Sequence, residues 1–420
     1  MSDIYSAHVQ TYVRTSRHFK INKMNAFGKL FRVTIVGESH GPVVGVVLDG
    51  IPAGLPLSAE DFLVDIERRK GGVQKGTTPR KEDDIPLFQT GLFNGRSTGA
   101  PLTILFENKN TRSGDYEKQR SVPRPGHADF VAHQKFGGFE DFRGGGHFSG
   151  RLTVGLVAAG VVAKKVLGSI TIQSTILEIG GEADLDIGLQ KAIDAKDSIG
   201  GIVECRVSGL PASLGEPFFD SVESLISHAV FSIPAVRGIE FGTGFAAARM
   251  FGAQHNDPII DSSGKTASNH AGGVVGGISN GNELVFRIAI KPTSSTPKEQ
   301  QTLNIETGEV EAFSVKGRHD LCIALRVPPV LEAVTAIVVA DFLSAGAVRL
   351  RLDRQLLKDD ADALIDHGRH IGSEQLGLVG RDGGGPRFDV SRGFAAARSF
   401  FQSISAAVRP PASSSLNSAR

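Results

Sequence analysis

The chain is 420 residues long with a formal charge of +1, since 46 Lys+Arg nearly cancel 45 Asp+Glu, so no global positive field is available to hold a nucleic-acid backbone. An apolar fraction of 40% and a charged fraction of 22% mark a globular chain long enough for one large domain or two average ones, while the absence of Trp and the presence of only three Tyr remove the usual base-stacking surface. Glycine is the outlier, at 51 residues without a Gly-X-Y period, against a usual share of about 7%.

Residues 1–24 read as a flexible extension ahead of Met24. They carry Arg14, Arg17, Lys20 and Lys23 but lack the apolar block of a secretory signal; a transit peptide is the other reading. Patterned sequence then begins. Phe31 to Val36 predicts a strand, Gly37-Glu38-Ser39-His40-Gly41 a turn, and Val43 to Leu48 a second strand leading into Gly50-Ile51-Pro52-Ala53-Gly54-Leu55. Ser58 followed by Asp61 opens a helix with Phe62 and Ile66 on one face. It closes on Arg68-Arg69-Lys70 before Gly71-Gly72, so these cations are expected to point beyond the helix end.

Gly209-Leu210-Pro211-Ala212-Ser213-Leu214 echoes Gly50 to Leu55 at an offset of 209 − 50 = 159 residues, again between an apolar strand and an amphipathic helix, here Val222 to Val230 stopped by Pro234. Two related halves are the expectation, with chance likeness of two turn-rich segments as the alternative. A buried helix is predicted from Val154 to Leu167, and Pro328 to Leu343 reads as a long apolar helix. Val154 to Ala163 is the best membrane-span candidate and falls short of the ~18 residues required, so a non-membrane protein is expected. Residues 25–350 form the expected catalytic domain and 351–420 a C-terminal extension whose final ~15 residues are expected to be disordered on composition.

His40 and His127 both sit in glycine-bounded, non-periodic sequence, where loops on a rigid scaffold place catalytic groups. Unperturbed imidazole titrates near ~6.5 and suits proton donation; a histidine that only hydrogen-bonds a turn is the alternative. No metal is expected: His127, His133 and Asp129 lack the spacing of a helical ligand pair. Cys205 and Cys322 stand outside CxxC or His-rich contexts, which disfavours zinc or a disulfide and fits a reducing, cytoplasmic compartment. Neither glycine cluster has Walker or Rossmann spacing. Arg68, Arg69, Lys75 and Arg80, then Arg120 and Arg124, then Arg143 and Arg151, then Arg318, each lie beside glycines. Guanidinium forks with close backbone approach predict a small ligand bearing several negative charges.

Gly37-Glu38-Ser39-His40-Gly41, Arg124-Pro125-Gly126-His127-Ala128-Asp129, the run Arg143 to Thr153, Asn269 to Gly273, Lys291 to Ser295 and Arg318-His319-Asp320 together resemble the chorismate synthase family, from about Phe27 to Leu343. The resemblance implies an α+β fold, a β-α-β sandwich of two pseudo-repeated halves assembled as a homotetramer. It implies a flavin-dependent lyase that eliminates phosphate from 5-enolpyruvylshikimate 3-phosphate to give chorismate. Reduced FMN is required without net redox change, with NADPH as a possible reductant. By motif, His40 matches the histidine at the flavin's pyrimidine edge, His127 the donor to the departing phosphate, Asp320 the aspartate near flavin N5, and Ser39 and Ser149 the active-site serines. Arg69, Lys75, Arg80, Arg124, Arg151 and Arg318 match substrate-binding positions. His147, Phe148, Ser149, Pro234, Ala235, Gly276, Lys291, Pro292, Thr293, Ser294, Ser295 and Arg318 match cofactor contacts. Lys75 for arginine, His147-Phe148 for Arg-Ser, Leu152 for glutamate, Pro234 for asparagine and Leu321 for proline depart from the commoner pattern. A non-catalytic polyanion- or flavin-binding homologue is the alternative.

Overall fold

Alternating Val and Leu on one strand and Leu, Ile and Phe on another build the first sheet. Val44, Val46 and Leu48 of β3 (Val43–Asp49) lie directly opposite Phe106, Ile104 and Leu102 of β5 (Leu102–Glu107), and all six are buried. With β1 (Ala26–Phe27), β2 (Arg32–Gly37) and β4 (Leu87–Thr90) these strands run β1-β2-β3-β5-β4, every pair antiparallel. A second sheet, of β6 (Thr171–Ile179), β7 (Gly201–Ser208), β8 (Val236–Phe241) and β9 (Leu284–Ile290), runs β8-β9-β7-β6 and is also antiparallel throughout. Its pairs Phe286–Cys205 and Ile288–Val203 are buried. This is a computed structural model, and it describes residues 25–72, 74–80, 82–110, 118–315 and 319–346, all within one compact unit, Met1–Arg351. The expectations for residues 1–24 and 351–420 and for Arg318 lie outside the described residues.

The helices longer than one turn among the described residues are α1 (Leu63–Arg69), α2 (Asp129–Phe136), α3 (Thr153–Leu167), α4 (Leu185–Ala195), α5 (Val222–Val230) and α6 (Pro328–Gly346). α3 settles onto β3 where two glycines meet: a Cβ on Gly155 would stand 2.7 Å from the Gly45 carbonyl oxygen. It also crosses α6 closely, since a Cβ on Gly160 would stand 2.3 Å from the Ala333 Cβ. α6 reaches the second sheet through Glu332, which accepts from the Ser174 backbone N–H of β6 at 3.0 Å, and reaches the approach to β2 through Asp341, which accepts from the N–H groups of Lys29, Leu30 and Phe31. Mixed helix and antiparallel sheet make the fold α+β, as expected.

α6 rather than Val154–Ala163 is the longest apolar stretch, which corrects the sequence reading. It is the one helix among the described residues long and apolar enough to cross a membrane, and 72% of its apolar window is buried inside the protein. Glu332 and Asp341 are paired there, as a core helix requires. α5 ends at Val230, short of Pro234.

Candidate active site

The ends of these elements converge on a cavity of ≈ 1080 Å³, at the top of the ~300–1,000 Å³ range of small-molecule sites. Nine Lys or Arg side chains and three carboxylates line it, an excess of six cations in a chain whose total is +1. A local positive field is thus available here although the chain as a whole is near neutral, and the low-dielectric walls of a cleft focus such a field.

The floor is a buried ion cluster. Arg69, 2% exposed, donates from Nε to Thr153 Oγ1 (2.9 Å), from Nη1 to Asp84 (3.3 Å) and from Nη2 to the carbonyls of Gly150 and Arg151. Arg151 donates to the other Asp84 oxygen, to Asn108 Oδ1 (2.8 Å) and to the Glu107 carbonyl. Burial, with Arg326 alongside, brings Arg69 down to about 9. Burial pushes the Asp84 carboxyl up, but Arg69 and Arg151 hold it below the ordinary range. Of the three cations expected to point beyond α1, Arg69 and Lys70 line the cavity and Arg68 does not. Arg68 pairs with Glu332 and Asp65, and Lys70 with Glu67.

On one wall, Asp129 at the start of α2 accepts both Nε (2.7 Å) and Nη2 (2.8 Å) of Arg124, while Arg124 Nη1 donates to Ser295 Oγ at 3.1 Å. His127 Nδ1 is 2.6 Å from Asp129 Oδ1. Across the cavity Asp320 accepts from the Thr78 N–H and from Arg326 Nη1, both at 2.9 Å. Arg80, also on the wall, pairs with Glu82 at 2.7 Å. Three consecutive left-handed glycines, 144 to 146, let the chain pass between the two histidines. A Cβ on Gly144 would lie 2.6 Å from His40 Nε2 and 2.9 Å from Ser39 Oγ, and one on Gly145 would lie 3.3 Å from His127 Nε2. His40 and Ser39 therefore sit behind this loop rather than in the lining. Burial, then Arg80 and Arg143, lower the His40 pKa, which favours neutral imidazole.

The expected cofactor positions line one side. His147 donates from Nδ1 to the Gly37 carbonyl (2.8 Å) and its Nε2 lies 3.0 Å from Asn25 Oδ1; Phe148 packs on Phe136 with ring centroids 6.2 Å apart. Ser149 Oγ caps the next turn by accepting from the Arg151 N–H. Pro234 leads into Ala235, held at φ +76°, and the Ala235 carbonyl accepts the Lys291 N–H. Lys291 Nζ and Ser294 Oγ both donate to the Gly126 carbonyl, and Pro292, Thr293 and Ser295 complete that wall. Lys75 and Gly276 are not brought in. Lys75 is exposed beside Gln190 at 3.4 Å, and Gly276 forms the open turn between Val275 and Ile278. The sequence motifs assign no role to Asp84, Thr78 or Arg326, and Asp129 enters them only as a rejected metal ligand. Asp129 stands inside a quoted motif, whereas Asp84 and Arg326 act only through contacts no local pattern encodes.

Fold and cavity together define an α+β protein whose cation-rich cavity carries His127 and Asp320 on its wall. Residues 31–344 match the family model described as chorismate synthase, and the chain belongs to that family. It is 72% identical over 321 residues to the chorismate synthase of Chitinophaga pinensis, covering 76% of this chain and 96% of the relative. It is 44% identical over 356 residues to that of Dehalococcoides mccartyi strain BAV1, covering 77% and 98%. A solved structure described as "Crystal Structure of Chorismate Synthase" superposes with a TM-score of 0.58 at 26% identity, covering 76% of this chain and 92% of that one. Membership makes the chain a phosphate-eliminating lyase of the shikimate pathway, and the non-catalytic alternative is not favoured.

Proposed function

We propose that this cavity binds 5-enolpyruvylshikimate 3-phosphate together with reduced FMN and carries out the 1,4-elimination of phosphate that yields chorismate. The observation that carries the reading is the excess of six cations around His127 and Asp320. A substrate with two carboxylates and a phosphate is held by charge, and the departing phosphate meets a proton donor in a positive field. His127 gives that proton from Nε2, the ring nitrogen that abuts Gly145. Arg80, Arg124, Arg151, Arg237, Lys291 and Arg326 line the cavity and supply the cations for the ligand, most of them held in place by bonds from some of their donors to protein acceptors, while Arg69 is wholly committed to the buried cluster beneath them.

The residues present suit a flavin. Thr293 Oγ1, on the wall, and Ser39 Oγ, behind Gly144, are buried and have no partner among the described residues. Phe148 and Phe231 offer part-exposed apolar faces. His147, Phe148, Pro234, Ala235 and the 291–295 segment would hold the ring system, and His40, its pKa lowered by burial and by Arg80 and Arg143, would face its polar edge through the glycine loop. When bound, the reduced flavin supplies transient electron density that eases loss of phosphate. NADPH serves as a possible reductant, and a cytoplasmic homotetramer is the proposed state.

The two-half sandwich is supported by a repeated bonding scheme. Ser97 Oγ accepts from Leu55 N–H (2.9 Å) and donates to the Pro52 carbonyl (2.6 Å). Ser279 Oγ treats Leu214 (2.9 Å) and Pro211 (2.7 Å) the same way. Gly54 and Ser213, matched by the same offset, both take positive φ. Phosphate release from 5-enolpyruvylshikimate 3-phosphate, measured anaerobically with chemically reduced FMN and aerobically with oxidised FMN plus NADPH, tests the reading. Release in the first arm is expected. Release in the second assigns an intrinsic reductase, and none in either contradicts the proposal.

A further inference from the structure

Resting on that reading of His127, we infer that Asp129 is the positioning residue that fixes the His127 tautomer, with Arg124 as its anchor. Two groups approach His127 Nδ1: Asp129 Oδ1 at 2.6 Å and Arg124 Nη2 at 3.0 Å. A carboxylate oxygen only accepts. At 2.6 Å a bare Nδ1 would set lone pair against lone pair, so the proton sits on Nδ1 and is donated to Asp129. Arg124 Nη2 then has its acceptor in the same Asp129 oxygen, at 2.8 Å. The second carboxylate oxygen takes Arg124 Nε at 2.7 Å and the Arg124 backbone N–H at 3.1 Å, so the carboxylate is locked in position by a two-pronged fork.

The consequence reaches the chemistry. With Nδ1–H committed, Nε2 is the only ring nitrogen able to exchange a proton, and it faces Gly145, where no Cβ intervenes. When Nε2 carries its proton, Asp129 stabilises the imidazolium; when that proton passes to the leaving phosphate, the ring is left as the Nδ1–H neutral form and Asp129 stays ionised throughout. Burial pushes the Asp129 carboxyl up, and the hydrogen bonds from Arg124 and His127 outweigh it and hold the group well below the carboxylate range.

The test is ¹⁵N NMR of histidine-labelled wild-type protein, with His127 assigned by loss of its signals in His127→Gln, recorded about two units above the ~6.5 of unperturbed imidazole. The Nδ1–H tautomer is expected, and the Nε2–H tautomer overturns the inference with no Asp129 variant needed. In Asp129→Asn the amide can turn its N–H toward Nδ1, so the ring is expected to switch to Nε2–H. kcat is expected to fall by about 10²–10⁴-fold while KM stays within about threefold. An unchanged tautomer, or kcat within about threefold of wild type, overturns it. Should this variant fail to fold, the wild-type spectrum decides. The spectrum is independent of turnover, so an inactive wild type would sink the functional proposal without touching this measurement.

Discussion

Asp84 shows how one residue carries several others. It takes φ +50°, a conformation Asp tolerates better than most side chains, and from there its buried carboxylate joins Arg69 and Arg151. Asp84→Ala leaves two guanidinium groups without their counter-charge, and removing one partner of a buried pair costs about 3–5 kcal/mol. Thermal unfolding should show a lowered Tm, and an unchanged Tm would mean the cluster is not the wall's support. His40 provides a pH signature. Its folded-state pKa is lowered, so between that value and the ~6.5 of the unfolded chain the unfolded state binds more protons. Its contribution to stability is therefore present above about pH 6.5 and lost as pH falls through the folded value. Urea unfolding between about pH 7.5 and 5 should show a shallower loss of stability for His40→Gln than for wild type; parallel curves would contradict it.

At the scale of elements, close approach is bought with glycine. Gly160→Ala puts a Cβ 2.3 Å from that of Ala333, so α3 and α6 must separate, and overpacking of this kind costs about 1–3 kcal/mol. Chemical denaturation should register that loss; a stability equal to wild type would show that the helices slide apart freely. The periodic elements were legible from sequence. The buried helix read from Val154 to Leu167 runs Thr153–Leu167, and the strand read from Val43 to Leu48 runs Val43–Asp49, because apolar period and glycine punctuation are local signals. The site was legible only where a motif carried it. His127, Asp320 and the 291–295 wall come together as the motifs implied. No local pattern signals that Arg69, Arg124 and Arg151 bond to protein acceptors, or that Asp84 and Arg326 complete the wall, because those bonds span 5 to 257 residues between partners chosen by packing.

For the molecule as a whole, a near-neutral chain lines its cavity with an excess of six cations. Binding of a multiply charged substrate should therefore weaken as salt screens that field, within a Debye length of about 8–10 Å at physiological strength. KM for 5-enolpyruvylshikimate 3-phosphate is expected to rise between low and high ionic strength with kcat nearly constant; a flat KM would place the cations elsewhere than at the substrate. The most direct test is single-turnover phosphate release under anaerobic conditions with saturating reduced FMN, comparing wild type with His127→Ala. The wild type should release phosphate and form chorismate, and the variant should bind substrate yet turn over about 10²-fold or more slowly. Near-normal release by His127→Ala would contradict proton donation from this cavity wall.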